Sequence, residues 1–167
     1  MKNKAVFLDR DGIINMERGE YTYRPEDFVF VEGMIESLQL FQAQGFRLIV
    51  ISNQSGIAKG IYTLEDVEIL HRTLMNHMKE NGIVIDEIYY CPHHPDISAC
   101  ICRKPDSLLI EKALARFRIS PSLSFFIGDR ERDVKAAEKA GVKGILVESN
   151  SSLKEVVKEI IELSPNS

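Results

Sequence analysis

Short apolar runs alternate with longer amphipathic stretches along this chain, regularly enough to name its elements. Residues 5–8, Ala-Val-Phe-Leu, are apolar without a break, and so is most of 47–52, Arg-Leu-Ile-Val-Ile-Ser. Runs of that length read as strands buried on both faces. Between them, 33–43 carries Met34, Ile35, Leu38, Leu40 and Phe41 near helical spacing and stops at Gly45, a common helix C-terminal signal. Thr63, with Asp66 three residues on, resembles a capping box in which Asp stands for the usual Glu or Gln. Behind it Leu64, Val67, Leu70, Leu74 and Met78 form one helical stripe, expected to face the core, and Gly82 closes that helix. The pattern continues with strand 85–90, helix 107–117, strand 124–128, helix 132–140, strand 143–147, helix 153–163 and a frayed tail at about 164–167. Such alternation predicts an α/β, doubly wound parallel sheet with helices on both faces, in one domain spanning 1–167. One long irregular stretch, 13–30, contains Arg18-Gly19-Glu20-Tyr21 and Pro25; a loop that long inside a domain is usually functional.

Composition narrows the classes. With 167 residues, 44% hydrophobic and 28% charged, the chain can bury a real core. A net charge of −4 gives no footprint for a phosphate backbone, and no apolar stretch approaches the ~20 residues of a membrane span. The chain enters a strand at once, without a signal-peptide pattern. A cytoplasmic monomer is therefore expected, with no nucleic-acid or membrane partner. Its three cysteines are then expected to be thiolates or ligands rather than disulfides.

The candidate chemistry sits at strand ends. Asp9-Arg10-Asp11-Gly12 follows the first strand, Ser52-Asn53-Gln54-Ser55-Gly56 the second, Asp129 and Asp133 the fourth, and Arg103-Lys104-Pro105 precedes the third helix. In a parallel sheet these ends share one edge, where ligands bind. Two carboxylates one residue apart suit divided roles: one facing a metal and an electrophile, the other a leaving group. Taken alone, Asp-x-Asp-Gly also reads as a solvated turn, and it lacks the third acidic ligand of an EF-hand. Asp9 and Asp129 could hold Mg²⁺, Ser52 could donate to a phosphate oxygen and Lys104 could neutralise charge there. Separately, Cys91, His93, Cys100 and Cys102 give C-x-H-x6-C-x-C, with all three cysteines inside twelve residues. Three thiolates and an imidazole make a closed structural Zn²⁺ site with no position for substrate; His94 could replace His93 or contact substrate.

Together, Asp9-Arg10-Asp11-Gly12, Ser52-Asn53, Lys104 and Gly128-Asp129-x-x-x-Asp133 resemble the four motifs of haloacid dehalogenase-like phosphatases. The zinc loop followed by Cys102-Arg103-Lys104-Pro105 is similar to the branch of D-glycero-D-manno-heptose-1,7-bisphosphate 7-phosphatases and histidinol-phosphate phosphatases. Asn53-Gln54-Ser55-Gly56-Ile57-Ala58-Lys59-Gly60 and Tyr89-Tyr90-Cys91-Pro92-His93-His94-Pro95 resemble the heptose enzymes more. The resemblance implies a Mg²⁺-dependent phosphomonoesterase with no large cap, acting on a small phosphorylated metabolite. It implies Asp9 as nucleophile and Mg²⁺ ligand, Asp11 as acid then base and a ligand through its backbone carbonyl, and Asp129 completing the metal site. Ser52 and Lys104 would bind the phosphoryl group, with Asn53, Arg103 and Arg130 near substrate; Asp133 would orient Lys104 or support the metal site from behind. The chain departs from the family at Ile13, where threonine is usual, in a short zinc loop closer to the histidinol-phosphate type, and at Asp106-Ser107, where Pro-Gly is common. Histidinol phosphate is the alternative substrate. A non-catalytic zinc-containing binding protein is the alternative of another class, though it would need neither Asp9 nor Asp11.

Overall fold

A computed structural model describes residues 2–164, so the end of the expected frayed tail, 165–167, lies outside the described residues. Five strands, β1 (Lys4–Leu8), β2 (Phe46–Asn53), β3 (Ile85–Cys91), β4 (Phe125–Gly128) and β5 (Lys143–Leu146), form one sheet in the order β3-β2-β1-β4-β5. Every pairing is parallel. Helices α1 (Met34–Ala43), α2 (Leu64–Glu80), α3 (Leu108–Arg116), α4 (Glu131–Lys139) and α5 (Lys154–Leu163) connect and flank the strands.

The apolar run of β1 is continuous because both of its faces are covered. Val6 and Leu8 join Leu48, Val50, Phe125 and Ile127 against α1, α2 and α5. Ala5 and Phe7, pointing the other way, join Ile49, Ile51 and Phe126 against α3 and α4. The capping box forms as read, with Thr63 Oγ1 accepting from Asp66 N at 3.1 Å and Asp66 Oδ2 accepting from Thr63 N at 2.8 Å. Two of the apolar residues named in the stripes of α1 and α2 are exposed instead of reaching the core. Leu64 is 52% exposed in the first turn of α2. Leu40 is 50% exposed because Met34, Ser37, Leu38 and Phe41 already make the inward face of α1.

Among the described residues no inserted cap domain interrupts this order, and no helix is long and apolar enough to cross a membrane. The 13–30 stretch leaves and returns at one point. Met16 N donates to Val29 O at 2.7 Å and Val31 N to Ile14 O at 2.9 Å. Ile13 and Ile14 are fully buried, so the excursion is anchored in the core. Its single turn of 3-10 helix is Pro25–Asp27.

Candidate active site

The sheet reverses its winding between β1 and β4, and the polar strand ends converge there. They line a cleft of about 360 Å³ that includes Asp9, Asp11, Asn53, Arg103, Asp129 and Arg130. Residues 17 and 19–22 of the irregular stretch form one wall of it.

Asp9 leaves β1 with its N–H donating to Ile127 O on β4 at 3.1 Å. Its Oδ1 accepts from Lys104 Nζ at 2.9 Å and from Arg10 N at 2.8 Å. Neither contact uses Oδ2. Lys104 is buried; its Nζ also donates to Ile51 O at 2.8 Å and lies 2.7 Å from Asp133 Oδ1. Burial disfavours the ammonium, but the charges of Asp9 and Asp133 outweigh that and hold it firmly protonated. Asp9 feels the opposite balance: burial, together with the like charge of Asp133, overrides Lys104 and pushes its pKa up to about 7. Asp133 thus pairs with Lys104 through one oxygen, and its other oxygen accepts from Arg130 N at 3.1 Å at the start of α4.

Asp11 has a different environment. Its Oδ1 accepts from Arg10 Nη2 at 2.8 Å and Asn15 Nδ2 at 2.9 Å, and its Oδ2 from Gln54 Nε2 at 3.1 Å. Burial raises its pKa, but the Arg10 guanidinium and these donors prevail and hold it below the usual carboxylate range. Ile13 leaves Asp11 without a threonine hydroxyl nearby, and these three side chains supply the support instead. Arg10 is itself wholly buried, donating to Thr22 O at 2.6 Å and contacting His71 Nε2 at 3.1 Å. The sequence assigns no separate role to Arg10, Asn15, Gln54 or His71. A charged residue inside an Asp-rich turn looks solvated, and His71 gave no local signal at all.

Two carboxylates are placed to share a cation. Oxygens of Asp9, Asp129 and Asp133 lie within 4.8 Å of one another, and Asp133 is already engaged by Lys104. Asp129 accepts from the Ser149 hydroxyl through Oδ2, while its buried Oδ1 has no hydrogen-bond partner among the described residues. An orphaned buried carboxylate oxygen beside another carboxylate is a poor arrangement without a cation and a good one with it. Gly12, at φ +87°, lets the turn pass this close, since a Cβ there would overlap the Asp129 carboxylate.

The second cluster lies at the end of β3 and in the loop after it, which goes on to supply Arg103 to the cleft. Ligand atoms of Cys91, His93, Cys100 and Cys102 also fall within 4.8 Å of one another. Cys91 Sγ is 3.7 Å from Cys100 Sγ, 3.4 Å from His93 Nδ1 and 3.0 Å from Cys102 Sγ. Tetrahedral Zn–S arms of about 2.3 Å give edges of about 3.8 Å, which the Cys91–Cys100 pair meets and the Cys91–Cys102 pair undercuts. His94 stands outside the cluster, its Nδ1 accepting from Asp96 N at 3.1 Å. All three cysteines are unpaired as disulfides. The loop then feeds directly into Arg103 and Lys104. Asn53 clasps Lys104 from both sides, accepting from its N–H at 3.0 Å and donating to its carbonyl at 3.2 Å.

Known proteins place this arrangement. Residues 101–166 match the HAD-hydrolase-like family model. Over 91% of its length the chain is 46% identical to D-glycero-beta-D-manno-heptose-1,7-bisphosphate 7-phosphatase of Helicobacter pylori, spanning 87% of that protein. The chain belongs to the haloacid dehalogenase-like phosphatases. This phosphatase is also 40% identical to the D-glycero-alpha-D-manno-heptose-1,7-bisphosphate 7-phosphatase of Campylobacter jejuni, across 93% of the chain and 87% of the relative. Its fold matches the D,D-heptose 1.7-bisphosphate phosphatase of B. bronchiseptica, solved with magnesium and phosphate, with a TM-score of 0.82 and 26% identity over 93% of the chain and 86% of the other. Within the phosphatase, Ser52 and Lys104 are wholly buried beneath the cleft floor, whereas the Arg130 side chain is 55% exposed at its rim, 3.9 Å from Asp129.

Proposed function

We propose that this phosphatase removes the 7-phosphate of D-glycero-D-manno-heptose 1,7-bisphosphate, with Asp9 as the nucleophile. The observation that carries the mechanism is the unequal treatment of two neighbouring carboxylates. Asp9 is pinned through Oδ1 by Lys104 and Arg10 N, which fixes the carboxylate and leaves Oδ2 to attack. Asp11 is held by its own donors at the cleft wall. Environments that separate two acids assign them separate tasks. The support for the substrate is the name borne by relatives similar over nearly the whole chain.

In the first step Asp9 Oδ2 bonds to phosphorus as the bond to the sugar oxygen breaks, and Asp11 gives that oxygen its proton. An arriving phosphate dianion adds a like charge beside Asp11 and so favours its protonated form. In the second step Asp11 takes a proton from water, which attacks phosphorus and restores Asp9. Lys104 stays charged throughout, balancing Asp9 and Asp133. Mg²⁺ held by Asp9, Asp129 and the Asp11 carbonyl would supply positive charge to the phosphoryl oxygens. Cys91, His93, Cys100 and Cys102 would hold Zn²⁺ as a staple of the loop, since soft thiolates suit that ion. Three cysteines outside any disulfide fit a cytoplasmic enzyme.

Phosphate release from both anomers of the heptose bisphosphate and from histidinol phosphate tests the reading. Preference for a heptose bisphosphate is expected; faster turnover of histidinol phosphate would replace the substrate while leaving the chemistry in place.

A further inference from the structure

Gln54 lies one residue past Asn53 and is almost fully buried. Its amide makes three hydrogen bonds. Nε2 donates to Ser52 Oγ at 2.8 Å and to Asp11 Oδ2 at 3.1 Å, and Oε1 accepts from the Tyr62 hydroxyl at 2.6 Å. The chemistry of the partners fixes which way the amide faces. The Asp11 carboxylate, which also accepts from Arg10 and Asn15, takes its third hydrogen bond from the NH₂ group, and the carbonyl then faces the Tyr62 hydroxyl.

That orientation has a consequence for Ser52. Its oxygen accepts a hydrogen bond from Gln54, and among the described residues its own hydroxyl donates to no one. A hydroxyl whose oxygen already accepts is free to aim its proton elsewhere. Buried at the end of β2 beside Asp9's strand, it is left as a donor toward a phosphoryl oxygen. The same amide holds the outer oxygen of Asp11.

Tyr62 is in turn packed between the 13–30 stretch and Gly56. Tyr23 stacks on it with ring centroids 5.0 Å apart, and Tyr21 meets it edge-on at 5.7 Å. Both belong to the 13–30 stretch. On the other side Gly56 makes room, since a Cβ there would overlap the Tyr62 ring.

We infer that Gln54, oriented by Tyr62, is a positioning residue that aims the Ser52 hydroxyl at the transferring phosphoryl group and fixes the Asp11 carboxylate. The inference rests on the proposed roles of Asp9 and Asp11. Tyr62 thereby links the loop that frames the substrate to the donors that meet the phosphate.

The test is inhibition of the Mg²⁺-loaded enzyme by orthovanadate, a mimic of the five-coordinate phosphoryl group, together with kcat and KM. Gln54→Leu should weaken vanadate binding about tenfold or more and lower kcat more than it raises KM, as expected for a lost oriented donor. Tyr62→Phe should shift both in the same direction by less. The double variant should be no worse than Gln54→Leu, because Tyr62 acts through Gln54. If Gln54→Leu does not fold, the isosteric Gln54→Glu takes its place, keeping the shape and reversing the donor. A lower melting temperature with vanadate affinity unchanged, or fully additive losses in the double variant, overturns the inference. Asp9→Asn measured alongside separates the failures. An active Asp9→Asn enzyme defeats the proposed mechanism, whereas an inactive one beside unaltered Gln54 and Tyr62 variants defeats this inference alone.

Discussion

Lys104 is a cation with no access to solvent, tolerated because Asp9 and Asp133 stand on either side of it. Removing it would leave two buried carboxylates facing each other. Lys104→Met should therefore destabilise the metal-free protein by about 3–5 kcal/mol, the usual cost of breaking a buried pair, as read from urea unfolding. Asp9→Asn should leave the fold intact and abolish turnover, since an amide keeps the shape but is no nucleophile. Asp11→Asn should slow release from a sugar phosphate by roughly 10²–10⁴-fold; a rate close to that of the unaltered enzyme would remove Asp11 from the mechanism. His71 carries a separate, pH-linked prediction. Burial first, and the Arg10 charge second, push its pKa from 6.5 down to about 3. The unfolded chain takes up this proton on acidification and the folded protein refuses it, so stability is complete above pH 6.5 and falls as pH drops from 6.5 toward about 3. His71→Gln keeps an acceptor for Arg10 and should flatten that slope in denaturant midpoints measured across the range. An unchanged slope would mean that other groups carry the acid sensitivity.

At the scale of elements, two short connections decide the site. The turn after β1 brings Gly12 against Asp129, which follows β4. Gly12→Ala adds a side chain at positive φ and pushes that carboxylate aside, so the Mg²⁺ concentration for half-maximal activity should rise by about 10–100-fold, as for disturbed metal surroundings generally. The loop after β3 is the other. Cys100→Ser should release the zinc and free the segment carrying Arg103 and Lys104, seen as loss of metal by elemental analysis and faster proteolysis between 92 and 103. Protein purified without chelator yet free of zinc would end this account of the loop. Helix placement was plain from periodicity, and the exceptions are instructive. Leu40 and Leu64 fit a stripe by spacing, but one points off the inward face of α1 and the other sits exposed in the first turn of α2.

Across the whole molecule, the two cation positions differ in donor hardness and so should differ in hold. Brief EDTA treatment should stop catalysis, and Mg²⁺ alone should restore it while zinc stays bound, because few carboxylates hold Mg²⁺ loosely and thiolates hold zinc firmly. Activity that returns only with added Zn²⁺ would contradict that division. The order of strands and helices, the edge at which Asp9, Ser52 and Asp129 would gather, and the grouping of Cys91, His93, Cys100 and Cys102 were determined by sequence alone. Each depends on short-range periodicity or on close spacing along the chain. What only the tertiary structure decided are the contacts between distant segments: Arg10 with Thr22 and His71, Asn53 with Lys104, Ser149 with Asp129, and Gln54 between Ser52, Asp11 and Tyr62. Those residues are polar, and local pattern marks such residues as surface. Their burial follows from packing 13–30 and the zinc loop over one end of the sheet, where each lost water had to be replaced by a specific partner.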